Sequence, residues 1–303
     1  MDGIEGPFLG SEELAGGRVT RRALQRRFSR VYRDVYMPKA QPLTPIARAK
    51  AAWLWAGRDA TLGGLSAAAM HGSKWIDPQA PADLFRIGDA VDGINIHRDN
   101  LISEEVCVTG GIPTTTPART AFDLGRRDTL ERAVMRLDAL ANAVRLKTSD
   151  VVDVIERHAG ARGIVQLRRA VELMDAGAES PQETRTRLLL IAAGFPRPTT
   201  QILVYNEFGD FVGRIDLGWP EWNVGIEYDG PQHWKDSEAH ARTIERIADL
   251  EAEGWIIVRL SRDILRYRRG LFLARVQKAM RIAGWPDADE IRLDAQIRLD
   301  SVA

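Results

Sequence analysis

The chain has 303 residues, 45% apolar and 28% charged, with 26 Gly and 14 Pro, a balance that excludes a disordered or collagen-like polymer. No apolar run reaches the roughly 18–20 residues of a membrane helix, and the single cysteine, Cys107, excludes an intramolecular disulfide and a cysteine-built zinc cluster. Net charge is zero, but residues 17–50 hold ten Lys or Arg against one acid, Asp34, so the average hides a basic arm near the N-terminus.

In chain order, Ser11 to Ala15 offers a short helix. Thr20 is a plausible N-cap for a second, basic helix that runs through Phe28. Leu24 and Phe28 are four apart and share one face, while Arg21, Arg22, Arg26 and Arg27 occupy others. Val31 to Tyr36 is rich in strand formers, and Pro38 closes it. A basic helix followed by a short strand suits the recognition helix and wing of a winged helix. The arginines, with Arg30, then point to a polyanion partner. A solvated arginine face on a small helix-plus-strand cap reads the same sequence equally well.

A helix follows over Pro45 to Gly57, then the small-residue stretch TLGGLSAAAMHG, in which His71 reads as a cap or core histidine. Residues 83–108 carry three β-rich stretches, LFRI, INIHR and EEVCV, with His97 expected half in solvent on a strand. GIPTTTPARTAFDLGR (111–126) reads as a turn leading into a helix. Three helical segments come next, at 129–142, 148–159 and 162–177, marked by apolar residues at helical spacing.

VYRDVYMP after a basic helix, then SAAAMHG, then GIPTTTPARTAFDL resembles the abortive-infection E-type antitoxins over roughly residues 15–126. The resemblance implies an N-terminal winged helix that binds DNA, followed by a helical–β domain. It also implies a toxin or defence-system partner, and it does not itself imply catalysis.

Gly177 to Pro181 reads as a domain boundary. Ser180-Pro181-Gln182-Glu183 is a capping box with Pro at N1, and its helix ends at Gly194. Strands are expected at 201–206, 211–219 and 222–230, then a polar helix at about 236–253, a buried strand at 254–260 and a helix at 262–283. The order is αβββαβα. The expected fold class is mixed α/β, with three parts: residues 1–45 winged-helix-like, 46–177 helical–β, and 178–303 the αβββαβα domain.

Asp216 and Glu227 each interrupt an apolar strand, which is costly unless the acid is paired or binds metal. If Trp219 pairs with Trp222, Asp216 faces Gly225 and Glu227 lies two residues along on the same face. Both carboxylates then reach one cation. Such oxygens suit Mg²⁺ or Mn²⁺, which can activate water against a phosphodiester. His233 is a candidate general acid or base, and Glu183 and Asp229 are candidate neighbours. Each has a plainer reading. Glu183 is already the capping residue, Asp216 and Glu227 could pair with Arg214 or Arg259, His233 could be a loop residue, and Asp229-Gly230 could be only a turn.

The string E…D-(ten residues)-EYDGPQHW, then RxxDLxxxGWxIVR, resembles the PD-(D/E)xK superfamily over about residues 180–280. Within it, the chain resembles the branch similar to the very-short-patch-repair (Vsr-like) endonucleases. The resemblance implies Mg²⁺-dependent DNA hydrolysis, with Asp216 and Glu227 holding metal and Glu183 and His233 assisting. Asp229 stands where that superfamily places lysine, a departure shared with the repair branch. It leaves His233, Lys235 or Arg246 to orient the water. The expected function is therefore a cytoplasmic metal-dependent endonuclease. The alternative is a non-catalytic, DNA-binding antitoxin-like regulator with a degenerate nuclease fold.

Overall fold

The computed structural model describes residues 3–229 and 237–291, and of 237–241 the backbone alone. These residues form a mixed α/β structure with three sheets. They divide into two compact units. The first is Met1–Asp128 with Ala139–Met174, and the second is Thr129–Asp138 with Asp175–Ala303.

The first unit opens with β1 (Phe8–Leu9), α1 (Gly10–Ala15), α2 (Arg21–Arg27), β2 (Phe28–Tyr32) and β3 (Val35–Pro38). Thr20 caps α2, its hydroxyl accepting from Ala23 N at 3.2 Å. The three strands pair antiparallel in the order β1-β3-β2. Leu24 is buried with Phe8, Val19 and Phe28, and the Phe8 and Phe28 rings meet edge-on at 4.9 Å. Burying that one stripe of α2 fixes the helix on the sheet and turns its arginines outward. The Asp34 carboxylate, at the β2–β3 turn, accepts from Ser11 N and Ser11 Oγ, tying the wing to α1. Two short helices and a three-stranded antiparallel sheet thus make up this segment.

Next come α3 (Pro45–Trp55), β4 (Thr61–Leu62), α4 (Gly64–Met70), β5 (Ala82–Phe85), β6 (Ile94–His97), β7 (Val106–Thr109), β8 (Ile112–Thr115) and α5 (Pro117–Arg126). Their sheet has the order β6-β5-β4-β8-β7. Ala49, Ala51 and Ala52 of α3 pack with Tyr32, Val35, Leu62 and Leu84. The small side chains let α3 sit close to the strands. Two expectations are corrected here. Ile112–Thr115 is a strand paired with β7 and β4 rather than only a turn. His97 is mostly buried, because its Nε2 lies 2.8 Å from Asp83 Oδ1. His71 is the C-cap of α4 and donates to the Thr115 carbonyl at 2.7 Å.

Then follow α6 (Leu130–Val144), α7 (Thr148–Arg157) and α8 (Ile164–Leu173). The second unit continues with α9 (Pro181–Ala193), β9 (Thr199–Tyr205), β10 (Phe211–Trp219), β11 (Val224–Asp229), α10 (Ser237–Ala252), β12 (Ile256–Ser261), α11 (Arg262–Tyr267) and α12 (Arg269–Ile282). Its sheet has the order β12-β11-β10-β9, antiparallel except for the parallel pair β11 and β12. The expected αβββαβα order is present, except that the final helix is two, divided at Arg268, whose φ of −136° is not helical.

The β10–β11 connection is also corrected. Pro220–Trp222 forms a single 3-10 turn, and Asn223 closes it in the left-handed region at φ 49°. Trp219 therefore pairs with Val224, Gly218 with Gly225 and Leu217 with Ile226. The register is displaced by two residues from the Trp219–Trp222 pairing, and the next step along each strand brings Asp216 beside Glu227 rather than Gly225. Gly218 and Gly225 are both required where they meet. A Cβ on Gly218 would stand 2.4 Å from the Val224 carbonyl oxygen, and one on Gly225 would stand 2.9 Å from Ile215 and Ile257.

Candidate functional site

The basic helix comes first. Arg21, Arg22, Arg26 and Arg27 lie on α2 and Arg30 lies on β2, and all five are exposed. None forms an ion pair among the described residues, in contrast to nearby Arg18 and Arg58, which hold Glu13 and Glu12. Lys39 donates to the Gln25 and Arg26 carbonyls at the end of α2, both at 3.1 Å. This adds positive charge at the negative end of the helix dipole. The result is an exposed cationic surface on a helix whose opposite stripe is anchored.

The carboxylates lie in the second unit. Asp216 Oδ2 accepts from Tyr228 N at 2.9 Å, a side-chain oxygen serving a strand amide. Burial pushes the Asp216 carboxyl up, and the Tyr228 amide and the Arg246 and Arg214 charges only partly offset this. Glu227 is 5% exposed. Its two oxygens take a bidentate pair from Arg246 of α10, Nη1 to Oε1 at 3.0 Å and Nη2 to Oε2 at 2.7 Å. Burial raises the Glu227 carboxyl against the pull of Arg246, and the neighbouring Asp216 charge raises it further.

Glu183, in the first turn of α9, is also buried. Oε1 accepts from Ser180 Oγ at 2.8 Å, and Oε2 accepts from Glu179 N at 2.9 Å and Gln201 Nε2 at 3.0 Å. It is thus the capping residue of its helix. Burial raises its carboxyl, and the Asp216 charge adds to the rise, so the two acids sense each other. Asp229 pairs with Arg259 of β12 at 2.9 Å. Arg214 instead pairs with Glu179 at 3.0 Å. The arginine partner of Glu227 is therefore Arg246, and neither Arg214 nor Arg259 fills that role. His233 and Lys235 lie outside the described residues.

These contacts bear on Mg²⁺. The ion needs carboxylate oxygens free to face it. Glu227 gives both oxygens to Arg246, Glu183 gives both to its cap and Gln201, and Asp229 is held by Arg259. Among the described residues, no group of three or more His, Cys, Asp or Glu is placed to hold a metal ion. As arranged, three of these acids already have partners within the chain, and Asp216 gives one oxygen to the Tyr228 amide.

A third cluster, not anticipated from the sequence, lies in the first unit. Arg119 of α5 is 1% exposed. It donates to Glu105, to Asp123 Oδ2 at 3.0 Å and to the Asn100 carbonyl at 2.9 Å. Arg126 and Arg127 share Asp99 and Asp123, and His158 Nε2 bonds Glu105 at 2.7 Å. The available signal was the spacing in PARTAFDLGRR, which sets Arg119, Asp123, Arg126 and Arg127 three and four apart on one helix.

Among the described residues, no helix is long and apolar enough to cross a membrane. No solved structure matches the chain. Two curated proteins of Mycobacterium tuberculosis, the uncharacterized protein MT2308 and the uncharacterized protein Rv2248, are each 31% identical to it over 173 residues. The match covers 56% of this chain and 64% of each relative. Residues 60–176, which hold the five-stranded sheet and the α5 arginine cluster, match the family described as AbiEi antitoxin C-terminal domain.

Proposed function

We propose that this protein is a DNA-binding regulator of the abortive-infection antitoxin kind, with a toxin or another defence-system protein as partner and the cytoplasm as its place of work. The observation that carries the reading is the set of five exposed arginines on α2 and β2, none in an ion pair among the described residues. Such a surface attracts phosphates along a duplex, and this reading makes α2 the recognition helix. The antitoxin match over residues 60–176 supports the same reading.

A second reading, a Mg²⁺- or Mn²⁺-dependent endonuclease, is favoured by one observation. The second unit has the αβββαβα order with β11 parallel to β12, and its two strand acids, Asp216 and Glu227, are adjacent. Against it stands the engagement of the acids by Arg246, Tyr228 and the α9 cap. One experiment separates the readings. The purified chain is titrated with duplex DNA in EDTA and then incubated with the same DNA in Mg²⁺ or Mn²⁺. The regulator reading expects salt-sensitive binding in EDTA and intact DNA with either metal. Cutting that is lost in Asp216→Ala would establish the endonuclease instead, and absence of binding would remove the regulator reading.

A further inference from the structure

A cavity of about 370 Å³ opens in the first unit between α5 and the turn that follows α7. This falls within the roughly 300–1,000 Å³ of small-molecule sites. Arg119, Arg126, Arg157 and Arg162 line it, with Asp99 as the one lining acid. Phe122 is buried behind these arginines, with the Arg126 and Arg119 guanidiniums over its ring at 5.1 and 5.4 Å. Ala159, Gly160 and Ala161 also line it, and a Cβ at Gly160 would meet nothing within 4 Å.

Charge is not balanced here. Arg119, Arg126 and Arg127 share three carboxylates, those of Glu105, Asp123 and Asp99. Arg157 and Arg162 bring two more positive charges and have no acid partner among the described residues. Arg157 donates to its own helix, at the Asp153 carbonyl. Burial pushes the Asp99 carboxyl up, yet the Arg126 and Arg127 charges outweigh it and hold the group below its usual range. The Arg126 side chain is 9% exposed, and its Nε is buried with no hydrogen-bond partner. A buried guanidinium N–H without an acceptor is costly in a finished core. On the wall of a cavity it is a donor in reserve.

We propose that this cavity binds a small phosphorylated molecule, its phosphate held by Arg126, Arg157 and Arg162. A phosphate monoester brings about −1.5 to −2 charges and three acceptor oxygens, which matches the two unmatched arginines. A carboxylate supplies one charge and two oxygens. Guanidinium groups pair with phosphate through parallel N–H donors, and the cavity exceeds the volume of phosphate alone. This site is separate from the arginines of α2.

The test is calorimetric titration of the full chain with inorganic phosphate, with adenosine monophosphate and with a short DNA duplex. The expected result is one bound monophosphate per chain. Binding should weaken about tenfold or more in the double variant Arg157→Ala, Arg162→Ala, each lost charge-assisted contact contributing several-fold. Both side chains are exposed, so the fold should persist, and circular dichroism checks it. Arg126→Lys, which keeps the charge and removes the fork, should weaken binding too. Arg26→Ala with Arg27→Ala should leave it unchanged. The proposal is overturned if neither small anion binds at concentrations up to about 10 mM, tenfold above a 1 mM Kd, or if the α2 variant weakens binding as much as the cavity variant. It is also overturned if only the duplex responds to the cavity substitutions, which would make the cavity part of a DNA surface.

Discussion

Arg246 holds Glu227 by both carboxylate oxygens, a fork-to-fork pair between α10 and β11 at 3.0 and 2.7 Å. The Glu227 side chain is 6% exposed and that of Arg246 34%, so the pair is buried mainly from the carboxylate side. Arg246 also donates to the Arg214 carbonyl at 2.7 Å, and so clasps both β10 and β11 to the helix.

Removing Arg246 leaves a buried carboxylate without its cation. Arg246→Ala should lower stability by about 2 kcal/mol, less than the roughly 3–5 kcal/mol of a fully buried pair because the guanidinium is partly solvated. Adding Glu227→Gln should recover part of the loss. Urea unfolding of both variants measures this, and an unchanged midpoint in Arg246→Ala would show that the clasp is not structural.

DNA affinity should respond to the α2 arginines one contact at a time. Replacing Arg22, Arg26 and Arg27 by Ala should lower the slope of log affinity against log salt by roughly 0.9 per lost phosphate contact. Fluorescence anisotropy at several salt concentrations reads the slope. A slope equal to that of the unaltered chain would make the arginines a solvated face.

Asp138 gives the second unit an unusual pH response. Burial pushes its carboxyl up to about 6, against the opposing effects of the Arg187 charge and of hydrogen bonds from Asp175 N, Thr184 and Arg187. From the ordinary value of 3.8 to about 6 the folded state holds more protons than the unfolded one. This group's contribution to stability therefore falls as pH rises through that window, by about 3 kcal/mol at most. Asp138→Asn should remove that fall. Urea midpoints compared between pH 4 and 7 should diverge for the two chains, and parallel curves would refute the assignment.

Gly218 has no room for a side chain. Gly218→Ala would press a methyl against the Val224 carbonyl at 2.4 Å. It should cost about 1–3 kcal/mol as the strands part, read as a lowered thermal midpoint. Wild-type stability would mean that the β10–β11 approach is looser than described.

Much of the second unit was legible. Ser180, Pro181 and Gly194 mark both ends of α9, and the strand Phe211–Trp219 covers the residues expected for it. The pairing of β10 with β11 was not, because a 3-10 turn and a left-handed Asn223 occupy more chain than a two-residue hairpin loop. In the first unit, β4 has two residues and β8 carries a proline. Their pairing is decided by partners far along the chain, which local patterning does not report. The two acids stood out because they interrupt apolar strands. Their partner Arg246 lies in a polar helix, where one arginine resembles another until the helix is packed. Glu105 was invisible for the same reason, since its partners are Arg119 and His158.

Arg187 is 0% exposed, and its carboxylate partner at 2.7 Å is Asp138. Thr184 donates to the same carboxylate at 2.8 Å, and Arg185 pairs with Glu131 at 2.6 Å. Helix α9 therefore depends on a stretch of chain that is made some fifty residues earlier. During synthesis, residues 129–138 leave the ribosome with an acid that must wait for its arginine while α7 and α8 emerge. A fragment beginning at residue 178 would keep Arg187 and discard Asp138, leaving a charge sealed inside without its counter-ion. To keep that pair, an excised second unit has to carry both of its sequence segments.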